Sequence, residues 1–401
     1  MSSYRTVLRN AEFRAVLAAH VFAMLAIIVA DVALTVLVYQ RTNSPMLAAM
    51  TFAIGFVPMG LGAVLLGGAG RTRPSRDVLV TCEIAVALLV AIMALPGMPV
   101  PAILGLLAVK GFIDPVFAGT RTATLSELVG DDGFPLARSL LRLVAQNAQF
   151  AGFAAGGLAL VFIPAAQALI AAAAGHAAAA LILLIGTRRR PSMELAAPRS
   201  SPVAAVRALL SVPGIGPVLV MSWLPGFFLV APEGLAVTYA NDLGGGSLAV
   251  GLLLTGLPAG AVLGELIVGS RMSPARRERL VVPFAASAFV PVLGFAFGPP
   301  LPVAIALLVL GGLGMSYSIG LDQLAIARIP EEVRRQSFTL VNAGMMVTQG
   351  LGFAAAGAVA EWLPVRVALP VIAATGLVTV LLAGRSLHSD TECAGSPAGR
   401  R

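Results

Sequence analysis

The chain has 401 residues, of which 58% are hydrophobic and only 11% charged, against roughly 25% charged in an ordinary soluble domain. That is too little charge to cover a fold in water, and the apolar runs recur at about the 20 residues that carry a helix across a bilayer core. There are 27 Lys and Arg against 19 Asp and Glu. In a soluble protein this excess would suggest nucleic acid, but its placement along this chain excludes that partner.

The apolar pattern predicts helices over about 14–39, 46–69, 78–96, 101–120, 137–162 and 164–186. A second set follows over about 213–240, 247–270, 280–298, 301–321, 336–362 and 364–385. The first segment is too long for the short apolar core of a cleaved leader and has no small-residue cleavage site after it, so it is expected to remain as helix one. Starting with the N-terminus inside, one face receives Arg5, Arg9 and Arg14, then Arg71, Arg73 and Arg76, then Arg121, Arg138 and Arg142. It also receives the arginines at 188–190, 199 and 207, those at 271–279, Arg328, Arg334 and Arg335, and finally Arg385, Arg400 and Arg401. Only Arg41 and Arg366 fall opposite, with Lys110 inside a helix. The positive-inside rule therefore predicts twelve membrane helices with both ends in the cytoplasm.

The stretch QFAGFAAGGLALVFIPAAQAL (149–169) returns as QGLGFAAAGAVAEWLPVRVAL (349–369) without a gap. Tyr39, Pro58 and Arg71 recur at the same offset as Tyr239, Pro258 and Arg271, so breakers and charges repeat as well as bulk. The chain reads as an internal duplication, and parallel duplicated halves are one way membrane transporters are built. The expected division is a six-helix bundle over 1–187, a cytoplasmic linker over 188–212, a second six-helix bundle over 213–387, and a polar, disordered tail over 388–401. The fold class is thus an all-α polytopic membrane protein of two pseudo-symmetric six-helix bundles.

Enzymatic chemistry has no motif to rest on. No Walker loop, dinucleotide fingerprint, metal-ligand cluster or triad spacing occurs, so no cofactor and no metal is expected. Cys82 and Cys393 are too far apart in predicted depth to pair.

Ionisable groups inside membrane helices are costly and therefore become the candidates for function. Glu83, Glu265 and Asp322 fall near helix ends within reach of loop arginines, which suggests a structural or gating role. Asp31 lies 17 residues beyond Arg14, roughly 25 Å along the helix at 1.5 Å per residue, and Glu233 sits near its repeat position. Lys110, the sole lysine, and Asp114 are four apart and share a face, with Arg121 two turns further on. They read either as a neutralised pair or as a site where Lys110 meets an anionic substrate. Gln146, Asn147 and Gln149, with Asn342 and Gln349, are polar candidates for the cavity or for packing. Gly152, Gly156 and Gly157 suit either close helix approach or bending, while His20 and His176 carry no assigned role.

Two parallel six-helix halves joined by a long loop resemble the major facilitator superfamily. Residues 31–45, DVALTVLVYQRTNSP, look like the end of helix one in its bacterial drug, macrolide and siderophore exporter branch. RTATLSELV (121–129) looks like that branch's stretch after helix four, and GFAAGG (152–157) like its antiporter motif. Two departures stand out. Phe153 occupies the place of the motif's proline, and the loop GGAGRTRPSRDVL (67–79) has Gly70 and Arg71 where the family's latch acid is expected, with Asp77 later. Arg71 and Arg271 nevertheless mark the two gating loops.

The resemblance implies that helices one and seven are symmetry mates lining a central cavity. Asp31 and Glu233 would then face it together and exchange protons during efflux of a small amphipathic molecule. The alternative for the two acids is a hydrogen-bonded network and a wet vestibule. Alternatives for the whole are an importer or uniporter of a small metabolite, or a non-transporting sensor or assembly protein. The expected setting is the inner (cytoplasmic) cell membrane. The expected partners are lipid, protons and a small-molecule substrate, and a monomer is expected to suffice.

Overall fold

The computed structural model describes residues 4–66, 69–190 and 202–394, and every regular element within them is helical. The first half comprises α1 (Ala11–Thr42), α2 (Pro45–Leu65), α3 (Ser75–Met93), α4 (Val100–Gly130), α5 (131–162) and α6 (Ala165–Gly186). The second comprises α7 (Ile215–Asp242), α8 (Gly246–Arg271), α9 (Val281–Phe297), α10 (Leu301–Arg328), α11 (Glu331–Trp362) and α12 (Val365–Ala394). Among the described residues nine helices are long and apolar enough to cross a membrane by length and composition. The remaining three complete the set of twelve. They are α3, charged at Arg76, Asp77 and Glu83; α5, with its polar run at 146–149; and α9, which is broken into short pieces.

Local chemistry sets the boundaries. Asn10 starts α1, its side chain accepting from the backbone N–H of Glu12 and Phe13 at 3.0 and 3.1 Å, as an N-cap residue does. Asn43 ends α1 in the left-handed region at φ 49°. Ser44 then caps α2, with Pro45 placed where its missing N–H goes unused. Pro99, Pro164, Pro300 and Pro364 stand immediately before α4, α6, α10 and α12, so the breakers repeat across the duplication.

Three boundaries differ from the sequence expectation. α4 runs to Gly130 rather than stopping near 120, because 121–129 keep an apolar helical face, with Leu125 buried, and the break comes only where Gly130 turns to φ 63°. The stretch joining the halves carries a short helix, Pro202–Leu210, while 191–201 lie outside the described residues. α12 continues to Ala394, where an irregular tail was expected from 388; residues 395–401 lie outside the described residues.

Within the first half α6 packs on α1 and α3, and α4 packs on α2. The halves meet along two seams, α2 against α11 and α5 against α8. Because α8 repeats α2 and α11 repeats α5, the two seams are equivalent under the duplication. A Cβ built on Gly157 falls 2.6 Å from the Cα of Gly251, and one built on its repeat Gly357 falls 2.9 Å from the Cα of Met46. Only glycine fits at these crossings. Gly157→Val or Gly357→Val is therefore expected to destabilise the fold by about 1–3 kcal/mol through overpacking. Melting of the purified protein in detergent checks this, and unchanged melting of both variants would contradict it.

Phe153 is buried and α5 stays helical through it, so the residue in place of the expected proline packs in the seam region instead of bending the helix. Its repeat Phe353 stacks on Phe52 of α2 with ring centroids 5.0 Å apart. Outward-facing Leu88, Ile170, Ile185, Leu266 and Leu382 are exposed, as lipid contact requires. The repeat-related Phe162 and Trp362 project at 78% and 88% exposure from the ends of α5 and α11, where aromatic side chains anchor helices at a membrane surface.

Candidate functional site

Ionisable side chains from several helices converge inside the first half and at its junction with the second. α1 contributes Asp31. One turn on, the Thr35 hydroxyl is 2.8 Å from the Asp31 carbonyl and 2.8 Å from the hydroxyl of Thr51 on α2. α4 contributes Lys110, whose Nζ donates to Oδ2 of Asp114 at 3.0 Å across one helical turn. Lys110 is 8% exposed, and a single carboxylate beside a buried ammonium makes its charge tolerable. Asp31 lies in the fields of Lys110, Asp114 and His176.

α7 supplies Glu233 from a short helical turn, Ala231–Gly234, set off from Ile215–Leu229 and Ala236–Asp242. Pro232 has no N–H to bond into the preceding turn, which accounts for the interruption beside the carboxylate. Glu233 lies in the field of Asp31, and the two acids come from one half each.

Other residues take different places from those expected. Glu83, assigned to a helix end near loop arginines, is 4% exposed and its Oε2 lies 2.7 Å from Nδ1 of His176, itself 2% exposed. Sequence reasoning missed this pair because nothing in a list of scattered histidines says which helix will stand opposite. Arg121 turns to α1, with Nη1 2.6 Å from Nδ1 of His20 and its guanidinium over the Phe117 ring. Accepting from a guanidinium leaves the His20 ring neutral with its proton on Nε2, which faces the Leu141 carbonyl at 3.2 Å. His20 thus ties α1 to α4 and α5 and is not free to carry a proton.

Gln146 donates to Glu265 at 3.3 Å across the α5–α8 seam, and Arg142 stands 3.8 Å from the same carboxylate. Exposed Asn147 bonds the Leu143 carbonyl of its own helix, and Gln149 and Asn342 are exposed. Gln349 is half-buried against Gly226 of α7. Gly152 and Gly156 face Ile28 and Val32 of α1, while Gly157 faces the other half. Arg271 is exposed at the end of α8; the Arg71 side chain lies outside the described residues. Asp77, late in its loop, pairs with Arg189 at 2.8 Å, and Glu12 takes Arg190 through two contacts of 2.8 Å. These pairs fasten the end of α6 to α1 and α3 within one half.

Each seam carries one carboxylate contact between the halves. On the face that carries the arginines, Arg142 and Gln146 meet Glu265. On the opposite face Glu361, at the end of α11, accepts from the Ser44 hydroxyl and from the Met46 N–H at 3.1 Å. A carboxylate at a helix C-terminus is disfavoured by the helix dipole and favoured at an N-terminus, so Glu361 is better placed against α2 than alone. Any separation of α2 from the end of α11 must break it. Glu361→Gln is expected to speed labelling of a Met46→Cys reporter by an impermeant maleimide; equal labelling with and without the change would contradict the latch.

An apolar groove of about 400 Å³ lies between α2, α4 and α11, lined by side chains such as Met50, Val57, Leu104 and Leu351. Leu104, Gly105 and Ala108 form the α4 side of its lining, which does not include Lys110. Among the described residues no group of His, Cys, Asp and Glu is arranged to hold a metal ion.

Two six-helix halves meeting at equivalent seams, with buried charge inside the first half, have the architecture of a membrane transporter of the major facilitator type. The chain belongs to the transmembrane secretion effector family, whose sequence profile matches residues 2–394. No curated protein matches it in sequence. Among solved structures it is similar to the nucleoside transporter NupG, at 14% identity and TM-score 0.73 over 94% of this chain and 99% of that one. It is also similar to a POT family transporter in complex with 5-aminolevulinic acid, at 10% identity and TM-score 0.72 over 94% and 96%. A bacterial homologue of the iron transporter ferroportin in an inward-facing state matches at 15% identity and TM-score 0.68 over 96% and 99%. At these identities the likeness shows the fold alone.

Proposed function

We propose that this protein exports a small amphipathic molecule in exchange for protons, by rocking of its two halves about a central site. The observation that carries the reading is a carboxylate on each of α1 and α7, Asp31 and Glu233, one from each half, with Glu233 in the field of Asp31. Two carboxylates in one poorly solvated place disfavour double ionisation. A proton is therefore held there until a cationic or polar substrate replaces it, or until the site opens to the other side. Export is favoured by membership of a family described as secretion effectors. The apolar groove between α2, α4 and α11 suits a substrate with an apolar body.

In this reading the basic face is cytoplasmic, both termini lie on that side of the inner membrane, and 1–187 and 213–387 are the moving bundles joined by 188–212. The site needs no second chain, so a monomer suffices. Gln146 and Glu265 latch the cytoplasmic side and Glu361 the other, with Gly152, Gly156 and Gly157 letting α5 slide at close approach. Gln149, Asn342 and Gln349 are left to meet substrate as the halves separate. The test is substrate-evoked proton movement in proteoliposomes holding wild type, Asp31→Asn or Glu233→Gln. Retention of coupled transport by both correctly folded variants would overturn the assignment.

A further inference from the structure

We propose that the Glu83–His176 pair is a second proton-binding site, buried inside the first half and linked to Asp31. The proposal rests on the proton-coupled reading above and deepens it by giving the proton a place away from the substrate.

The pair is deep: Glu83 is 4% and His176 2% exposed, and 2.7 Å separates Oε2 from Nδ1. A hydrogen-bonded acid and imidazole in this setting have two balanced states. With one proton added, imidazolium faces carboxylate and the pair is neutral. With that proton removed, a neutral ring still donates Nδ1–H to the carboxylate and the pair carries one negative charge. The hydrogen bond survives in both states, so loading and unloading need no rearrangement at Nδ1.

The second ring nitrogen is where the proton enters or leaves. Nε2 of His176 is buried and has no hydrogen-bond partner among the described residues, and a buried polar atom left unpaired is costly enough to ask for a role. His176 interacts electrostatically with Asp31, the acid already placed at the central site.

The groups around the pair fit a site that changes charge. α1 brings Asp31, with His20 further down the helix. α3 itself carries Cys82, which lies in the field of Glu83. α4 brings Lys110 and Arg121, both in the field of Glu83, together with Asp114. The two cations offset the negative charge left when the proton departs. His20 is held neutral by Arg121 and does not compete.

The duplicated scaffold does not require the pair. At the offset that relates the halves, positions 283 and 376 carry Pro and Gly, and the second bundle forms without a buried acid–imidazole contact there.

The deciding experiment is ¹⁵N-histidine NMR of the whole protein in lipid nanodiscs across pH 5–9, beside a count of protons bound over the same range. His20→Asn and His388→Gln variants assign the three histidines. The His176 ring is expected to pass between doubly and singly protonated forms within this window, and its midpoint to move in Asp31→Asn. Glu83→Gln and His176→Gln should each lose one titrating proton, and the double variant should lose that same one. A His176 ring in one state throughout, or an unchanged proton count in His176→Gln, overturns the site. The wild-type spectrum decides even where a variant fails to fold. Proton flux in wild-type liposomes with a silent His176 would remove this site and leave antiport standing. A titrating His176 without flux for any compound would keep the proton site and remove antiport.

Discussion

Asp31→Asn and Glu233→Gln are each expected to lower substrate-evoked proton flux on the order of a hundredfold, the lower end of what a positioned acid–base group contributes. Substrate exchange without a proton gradient should survive better than coupled transport. The reason is geometric. The acids stand on α1 and α7, which occupy matching places in the two halves, and Glu233 lies in the field of Asp31. Removing one leaves the other without the neighbour that keeps a proton on the pair. The check is internal pH in proteoliposomes, with melting in detergent as the control for folding. A variant that melts normally and still couples would remove its residue from the proton path.

The second large effect concerns Lys110 and Asp114. Replacing one partner of a buried ion pair strands the other charge and typically costs about 3–5 kcal/mol, whereas replacing both with apolar residues is often neutral. Lys110→Met and Asp114→Leu are accordingly each expected to lower melting sharply, and the double variant to recover most of the loss. Transport separates the two uses of the pair. If the lysine only neutralises the aspartate, the double variant transports better than either single one. If Lys110 meets an anionic part of the substrate, stability returns in the double variant and transport does not.

The fold was legible because the signals that define it are one-dimensional. Run lengths of apolar residues, arginines on alternate loops, and prolines repeating across the duplication need no knowledge of neighbours, and they give two sets of six helices. The close crossings at Gly157 and Gly357 could be read as small-residue contacts because glycine repeats where little else in the helix is constrained. Boundaries were less visible. Residues 121–129 keep a helical face past the point where apolar content falls, so α4 extends to Gly130, and α12 runs on to Ala394 through a polar sequence.

Contacts of the candidate site were legible where they lie along one helix and obscure where they lie between helices. Lys110 and Asp114 follow from spacing alone. Asp31 and Glu233 followed from a resemblance that paired their helices. Glu83 with His176, and Arg121 with His20, depend on how α3 rotates against α6 and α1 against α4, which no single helix records. Glu361 was missed for a related reason. Its partner is the start of α2, more than three hundred residues earlier, and the only hint was a carboxylate at the C-terminal end of its own helix.

The most direct test of the account is internal pH in liposomes containing the purified wild-type protein while lipophilic cations, macrolides, siderophores, sugars and organic acids are added in turn. Proton movement evoked by one amphipathic class is expected, and its loss in Asp31→Asn and in Glu233→Gln. Transport of a labelled compound with no proton movement, unchanged in both variants, would contradict it and mark the protein as an uncoupled carrier.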